Sequence, residues 1–249
     1  MFEPRRYREN MGRDRFESFG VAFKETDLWI GVDRESFRSE MADFVLTRIS
    51  ELRSEIEAYC EVDELFLKEL SPYDGADSAS PVVSRMFEYG RRADVGPMAS
   101  VAGVFAQEIG QIIDAEFGVG EIVVENGGDL FLKVRAPVVI SAFAGLSPLS
   151  EKVGLKIDPE YSPLGICTSS GTVGHSFSLG KADAVVVVCQ EAGLADAYAT
   201  SFCNKIRGEE DVEPVLDEIA EESPILGALI VVEERLGVRG VFPLEILRC

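Results

Sequence analysis

An α+β protein with a mixed or antiparallel sheet and packed helices is the fold class the sequence predicts. Strand patterns come in adjacent pairs rather than in strict β-α-β alternation, long amphipathic helix patterns separate them, and the composition of 46% hydrophobic and 27% charged residues over 249 positions is that of a folding chain. Residues 19–24 and 28–32 flank the polar Glu25-Thr26-Asp27 and read as a hairpin. Across 36–59, Met41, Val45, Ile49, Leu52, Ile56 and Tyr59 recur at spacings of three and four, which places one apolar stripe on a long helix. Residues 61–94 read as two shorter helices broken at Ser71-Pro72-Tyr73-Asp74-Gly75, the second opened by an Ser80 cap and Pro81.

Gly96-Pro97 opens a further helix whose Met98, Val101, Phe105, Ile109 and Ile112 share a face and which ends near Gly118. Strands at 122–125 and 130–134 flank Asn126-Gly127-Gly128, and 138–143 adds another. Residues 165–180 are glycine- and serine-rich and read as a loop before a buried strand at 184–189. A helix at 194–206, an acidic helix at 211–222, a strand at 225–232 and a last strand at 244–247 complete the chain. The expected organisation is a basic arm, 1–16, followed by one domain, 17–249.

A net formal charge of −20 repels phosphate backbones and anionic headgroups, which disfavours nucleic-acid and membrane-surface partners. Within the arm, Arg5, Arg6, Arg8, Arg13 and Arg15 outnumber the acids, and we read it mainly as a solvated segment or a lead-in to the first strand, with a phosphate-gripping role as the alternative. No apolar run approaches the roughly 18 residues that span a bilayer, and the start lacks the apolar core of a secretory signal. Cysteines at 60, 167, 189, 203 and 249 are odd in number and scattered, so neither a disulfide frame nor a thiolate zinc site is expected, and a reducing cytoplasm fits.

Three segments combine glycines with oxygen-bearing side chains, and each admits two readings. Asn126-Gly127-Gly128-Asp129 is either a tight hairpin, with Asn126-Gly127 at its centre, or a bare-backbone approach for a ligand with Asn126 and Asp129 as polar contacts. The 165–180 run holds His175, the single histidine, among hydroxyls, and a surface histidine competes with a functional one. Asp196 and Thr200 stand four apart on one helix face, which suits a first-turn carboxylate and also a hard-cation site.

Taken together, the helix around Gly103, Asn126-Gly127-Gly128-Asp129, Ser170-Gly171-Thr172 with His175, and Ala195-Asp196-Ala197-x-Ala199-Thr200 make a pattern that resembles the ApbE superfamily of flavin transferases. The Glu25-Thr26-Asp27-Leu28, 97–103 and 167–176 runs look more closely like an uncharacterised prokaryotic branch, over almost the whole chain. The resemblance implies FAD as a bound flavin, Mg²⁺ on its pyrophosphate, and transfer of FMN to a threonine hydroxyl of an acceptor protein with release of AMP. It implies Asp196, Thr200 and the Ala99 carbonyl as metal ligands, and His175 and Asp196 as catalytic groups. Ser100, Gly103, Asn126, Gly127, Gly128, Asp129, Ser170, Gly171, Thr172 and His175 are the implied flavin contacts. Two departures stand out: Ala102 occupies the place of the family lysine, and 175–180 lacks the family's Asp and Pro. A flavin- or nucleotide-binding protein without turnover, sensory in role, is the alternative.

Overall fold

The computed structural model describes residues 8, 11, 12, 14–75, 79–173 and 179–247. Strands β1 (Phe16–Phe23) and β2 (Thr26–Asp33) form the first hairpin, in register from Phe16 opposite Asp33 to Phe23 opposite Thr26. Helix α1 (Met41–Val62) begins five residues later than periodicity suggests. Asp33 accepts hydrogen bonds from the Ser36 amide (3.2 Å) and hydroxyl (2.7 Å), and this turn delays the helix. Helices α2 (Leu65–Lys68), α3 (Pro81–Ala93) and α4 (Val101–Phe117) follow, with the Ser80 hydroxyl capping α3 through the Val83 amide.

Next come β3 (Ile122–Asn126), β4 (Asp129–Lys133), β5 (Val138–Ser141), β6 (Val153–Ile157), β7 (Leu164–Ser169) and β8 (Ala184–Cys189). Helices α5 (Ala192–Lys205) and α6 (Val212–Glu221) precede β9 (Ile225–Val232), β10 (Arg235–Gly240) and β11 (Leu244–Ile246). The expected α+β class holds, and the pairings among the described residues are antiparallel. Three readings are corrected. The first third of the 165–180 run is strand β7 rather than loop, and β6 and β10 lack a sequence counterpart.

Eight strands form one sheet in the order β1-β2-β3-β4-β7-β8-β9-β10, in which only β4 and β7 are neighbours out of chain order. The two strands left out, β5 and β6, join β11 in a three-stranded sheet ordered β11-β6-β5. Period-two alternation sends Leu28, Ile30 and Val32 to a core shared with α1, α3, α4, α5 and α6, and sends Trp29, Val123 and Leu132 to a second core under the small sheet. The result is three layers: helices, large sheet, small sheet. Both faces of β8 are covered, which is why Ala184–Cys189 is buried at every position and reads as a continuous apolar run.

Helix α5 lies deepest of the helices, against β7 and α4, and its small residues permit that approach. A Cβ at Gly165 on β7 would overlap the Ala192 backbone at the start of α5. None of the described helices is long and apolar enough to cross a membrane.

Candidate functional site

The β3–β4 turn is the first component. Gly127 and Gly128 have φ of 70° and 107°, and Asn126 pairs with Asp129 as the last rung of the ladder. The central pair is therefore Gly127-Gly128, not Asn126-Gly127: both positions need positive φ, and both are glycine. Asn126 stays in the strand, and its side-chain amide donates to the Ala102 carbonyl at 3.1 Å.

That bond leads to the second component, the first turn of α4. The amides of a helix's first turn have no partner within the helix. Asp196, one turn into α5, supplies one: its Oδ2 accepts from the Gly103 amide at 2.8 Å, and the Ala102 amide also bonds to the carboxylate. Asp196 thus caps a neighbouring helix rather than offsetting the dipole of its own. A Cβ at Gly103 would overlap the Ala192 carbonyl and stand 2.8 Å from the Asp196 Cβ, so only glycine lets the two helices meet here.

The third component is the end of β7. Asp129 Oδ1 accepts from the Thr168 amide at 3.2 Å, and the Cys167 thiol donates to the Ala192 carbonyl at 3.2 Å. Gln107 fixes the same point of α5 by accepting from the Ala192 amide at 2.6 Å, while the Tyr89 hydroxyl donates to Glu191 at 2.8 Å. Asn126, Asp129, Gly103, Thr168 and Asp196 are thereby joined at one end of the large sheet.

Burial and negative charge act together on the titratable groups of this junction. Burial first, and then the negative charge of Asp129, hold the Asp196 carboxyl well above the usual carboxylate range, against the pull of the Ala102 and Gly103 amides. Burial followed by the charges of Asp129 and Asp196 likewise pushes the Cys167 thiol up. Two buried acids side by side suit a hard divalent cation, which prefers an all-oxygen shell. Thr200 follows Asp196 by one turn on α5, and the 97–100 turn bearing Ala99 packs against α5, so the expected metal ligands belong to two elements in contact and are all oxygen donors.

The remaining sequence-predicted residues divide. The Ser100 hydroxyl donates to the Pro97 carbonyl at 2.8 Å within its own turn. Ser170 Oγ accepts from the amides of Thr172 (3.1 Å) and Val173 (3.0 Å), and the Thr172 hydroxyl donates to Asp183 at 2.8 Å. Ser170-Gly171-Thr172 is therefore a self-bonded turn directly after β7. His175 lies outside the described residues.

Two participants escape the sequence reading. Ser169, the last residue of β7, is 4% exposed, and its hydroxyl has no hydrogen-bond partner among the described residues. Arg8, from the arm read as solvated, instead donates to Glu125 at 2.5 Å and to Asp27 at 3.0 Å, and Glu125 accepts from the Gly128 amide at 2.8 Å. The arm thus braces the glycine turn, because a carboxylate only 2% exposed needs a charged partner. Arg8→Ala is expected to cost about 3–5 kcal/mol, the range for orphaning one member of a buried ion pair. A lower denaturation midpoint with faster Gly128 amide exchange checks this, and unchanged exchange at Gly128 contradicts it.

Comparison with known proteins follows the same lines. A family model described as "AbpE bacteria" matches residues 8–235. A UPF0280 protein of Methanocaldococcus jannaschii is 36% identical over 228 residues, and one of Methanococcus aeolicus is 37% identical over 227, each match covering 90% of both chains. Among solved structures, the apo flavinyl transferase ApbE of Pseudomonas stutzeri superposes with a TM-score of 0.58 at 12% identity, covering 90% of this chain and 94% of that one. The apbe protein of Thermotoga maritima gives 0.57 at 15%, covering 91% and 97%. At such identities the likeness is one of fold.

Proposed function

Because this chain belongs to the AbpE_bact family, an ApbE-like branch that includes archaeal UPF0280 relatives, we propose that it is a Mg²⁺-dependent enzyme acting on the pyrophosphate of FAD. The observation that carries this reading is the meeting of two buried acids, Asp129 and Asp196, at a glycine turn and a helix N-terminus. Asp196, Thr200 and the Ala99 carbonyl would hold the ion, which when bound offsets charge developing on the phosphates. Gly127 and Gly128 leave backbone bare for a phosphate-bearing guest, with Asn126 and Asp129 fixing the turn against α4 and β7.

Transfer is then a displacement at phosphorus. The threonine oxygen of an acceptor protein bonds to the FMN phosphorus, the bond from that phosphorus to the bridging oxygen breaks, and AMP departs with that oxygen. The hydroxyl proton passes to a base, for which His175 is the candidate. Residues 17–249 act as one domain with 1–16 as its basic arm, in the reducing cytoplasm that the four free described cysteines suit. Incubation with FAD, Mg²⁺ and candidate acceptors is expected to release AMP, and a chelator to stop it. FAD that stays intact throughout removes the transferase reading.

One observation favours the second reading, a flavin- or nucleotide-binding protein without turnover. Position 102 presents a methyl group where the resembling transferases carry a lysine, so no ammonium is available there. Saturable calorimetric binding of FAD or a nucleotide without AMP release selects that reading.

A further inference from the structure

We propose that the Ser169 hydroxyl is a further oxygen ligand of the divalent-cation site formed by Asp196 and Thr200. The inference rests on the function proposed above, which supplies that site. Buried hydroxyls in folded proteins are bonded almost without exception, and an orphan calls for an explanation. Ser169 is such an orphan, more than nine-tenths buried, with no partner for Oγ among the described residues.

Its position in the fold says what it faces. Alternation along β7 puts Gly165, Cys167 and Ser169 on one side of the sheet, and Ser169 pairs in register with Val185, a member of the core beneath the helices. Gly165 abuts Ala192 of α5, and the Cys167 thiol bonds to the Ala192 carbonyl, so this side is the α5 side. Farther on, Gly180 packs against both Gly171 and the Cys203 carbonyl near the end of α5. The helix consequently runs beside β7 in the same direction. From Gly165 to Ser169 the strand advances roughly 13 Å at its rise per residue. From Ala192 to Thr200 the helix advances about 12 Å. Ser169 therefore stands level with Thr200, on the turn after Asp196.

Size selects the occupant. The Ser169 oxygen is buried, which leaves no approach for a phosphate oxygen. A dehydrated Mg²⁺ or Mn²⁺ sits only about 2.1 Å from its ligands and takes oxygens of this kind. A serine beside a carboxylate and a threonine also keeps the donor set hard, as these ions require.

The test is Mn²⁺ binding to the FAD-free protein by calorimetry, with thermal melting in chelator as the second measurement. Ser169→Ala is expected to weaken Mn²⁺ binding about tenfold. Its melting temperature without cation should be unchanged or higher, because an unpaired hydroxyl has been removed. Ser169→Cys should lose Mn²⁺ affinity and gain Cd²⁺ affinity relative to the wild type, as a soft thiolate replaces a hard oxygen. Wild-type Mn²⁺ affinity in both variants, with binding lost in Asp196→Ala, overturns the role of Ser169 and leaves the site standing. Absence of Mn²⁺ binding to the wild type overturns the site and this inference together, and a lower melting temperature for Ser169→Ala in chelator with Mn²⁺ affinity intact marks a packing role instead.

Discussion

Asp196→Asn is expected to reduce Mg²⁺-dependent AMP release from FAD by about 10²–10³-fold, the range for removing one group that stabilises transition-state charge. The substitution is chosen because asparagine keeps an acceptor oxygen for the Gly103 amide, now bonded at 2.8 Å, while removing the charge. Stability should move the other way. In the cation-free protein, Asp196 pays for burial and for its proximity to Asp129, so the neutral amide relieves both and the melting temperature in chelator stays level or rises. Loss of activity without loss of stability separates a ligand from a structural residue. Wild-type AMP release by the variant removes Asp196 from the chemistry.

Gly103→Ala is expected to act on fold and site at once. The added methyl meets the Ala192 carbonyl, which is backbone and held by the Cys167 thiol, so neither partner yields cheaply. Overpacking of this kind costs about 1–3 kcal/mol. For a chain of this length that lowers the melting temperature by roughly 2–12 °C. Because α4 must withdraw from α5, the Gly103-to-Asp196 bond lengthens, and Mn²⁺ affinity should fall in parallel. A melting temperature equal to that of the wild type would show that the helices are not in contact at this point.

Much of this architecture is legible in the sequence because burial imposes a period. The stripe from Met41 to Tyr59 is buried as α1, and the runs at 184–189 and 225–232 are strands β8 and β9 with those very bounds. Where another demand overrides the period, the pattern is lost. Strand β7 places Gly165, Cys167 and Ser169 toward α5, and the residues small enough for that approach are those that otherwise mark a loop. Strand β10 is an edge: its apolar alternation is only Leu236 and Val238, while Arg235 and Arg239 on the other face pair with Glu213 and Asp217 of α6. Strand β6 keeps the period, with Val153, Leu155 and Ile157 on the second core, but its five residues are too few to stand out beside the loops around them.

The candidate site divides in the same way. Gly127, Gly128, Asp129 and Asp196 stand out as glycines and acids in a recognisable order, and the structure connects their segments. Arg8 and Glu125 are 117 positions apart, and no local pattern pairs them. Ser169 is hidden among neighbouring hydroxyls. Its period-two relation to Cys167 is the single sequence signal that separates it from Ser170, and it becomes readable only once β7 is known to be a strand.

The near-sequential order of the large sheet bears on how the molecule is made. As the chain leaves the ribosome, β2 finds β1 and β4 finds β3 already synthesised, and these hairpin pairings are short-range, whereas β3 must reach back past α1, α2, α3 and α4 to pair with β2. The amides at the head of α4 must wait 93 residues for Asp196 to emerge. The ion proposed for Asp196 would accordingly load last, and a nascent or truncated product ending before α5 would lack that carboxylate.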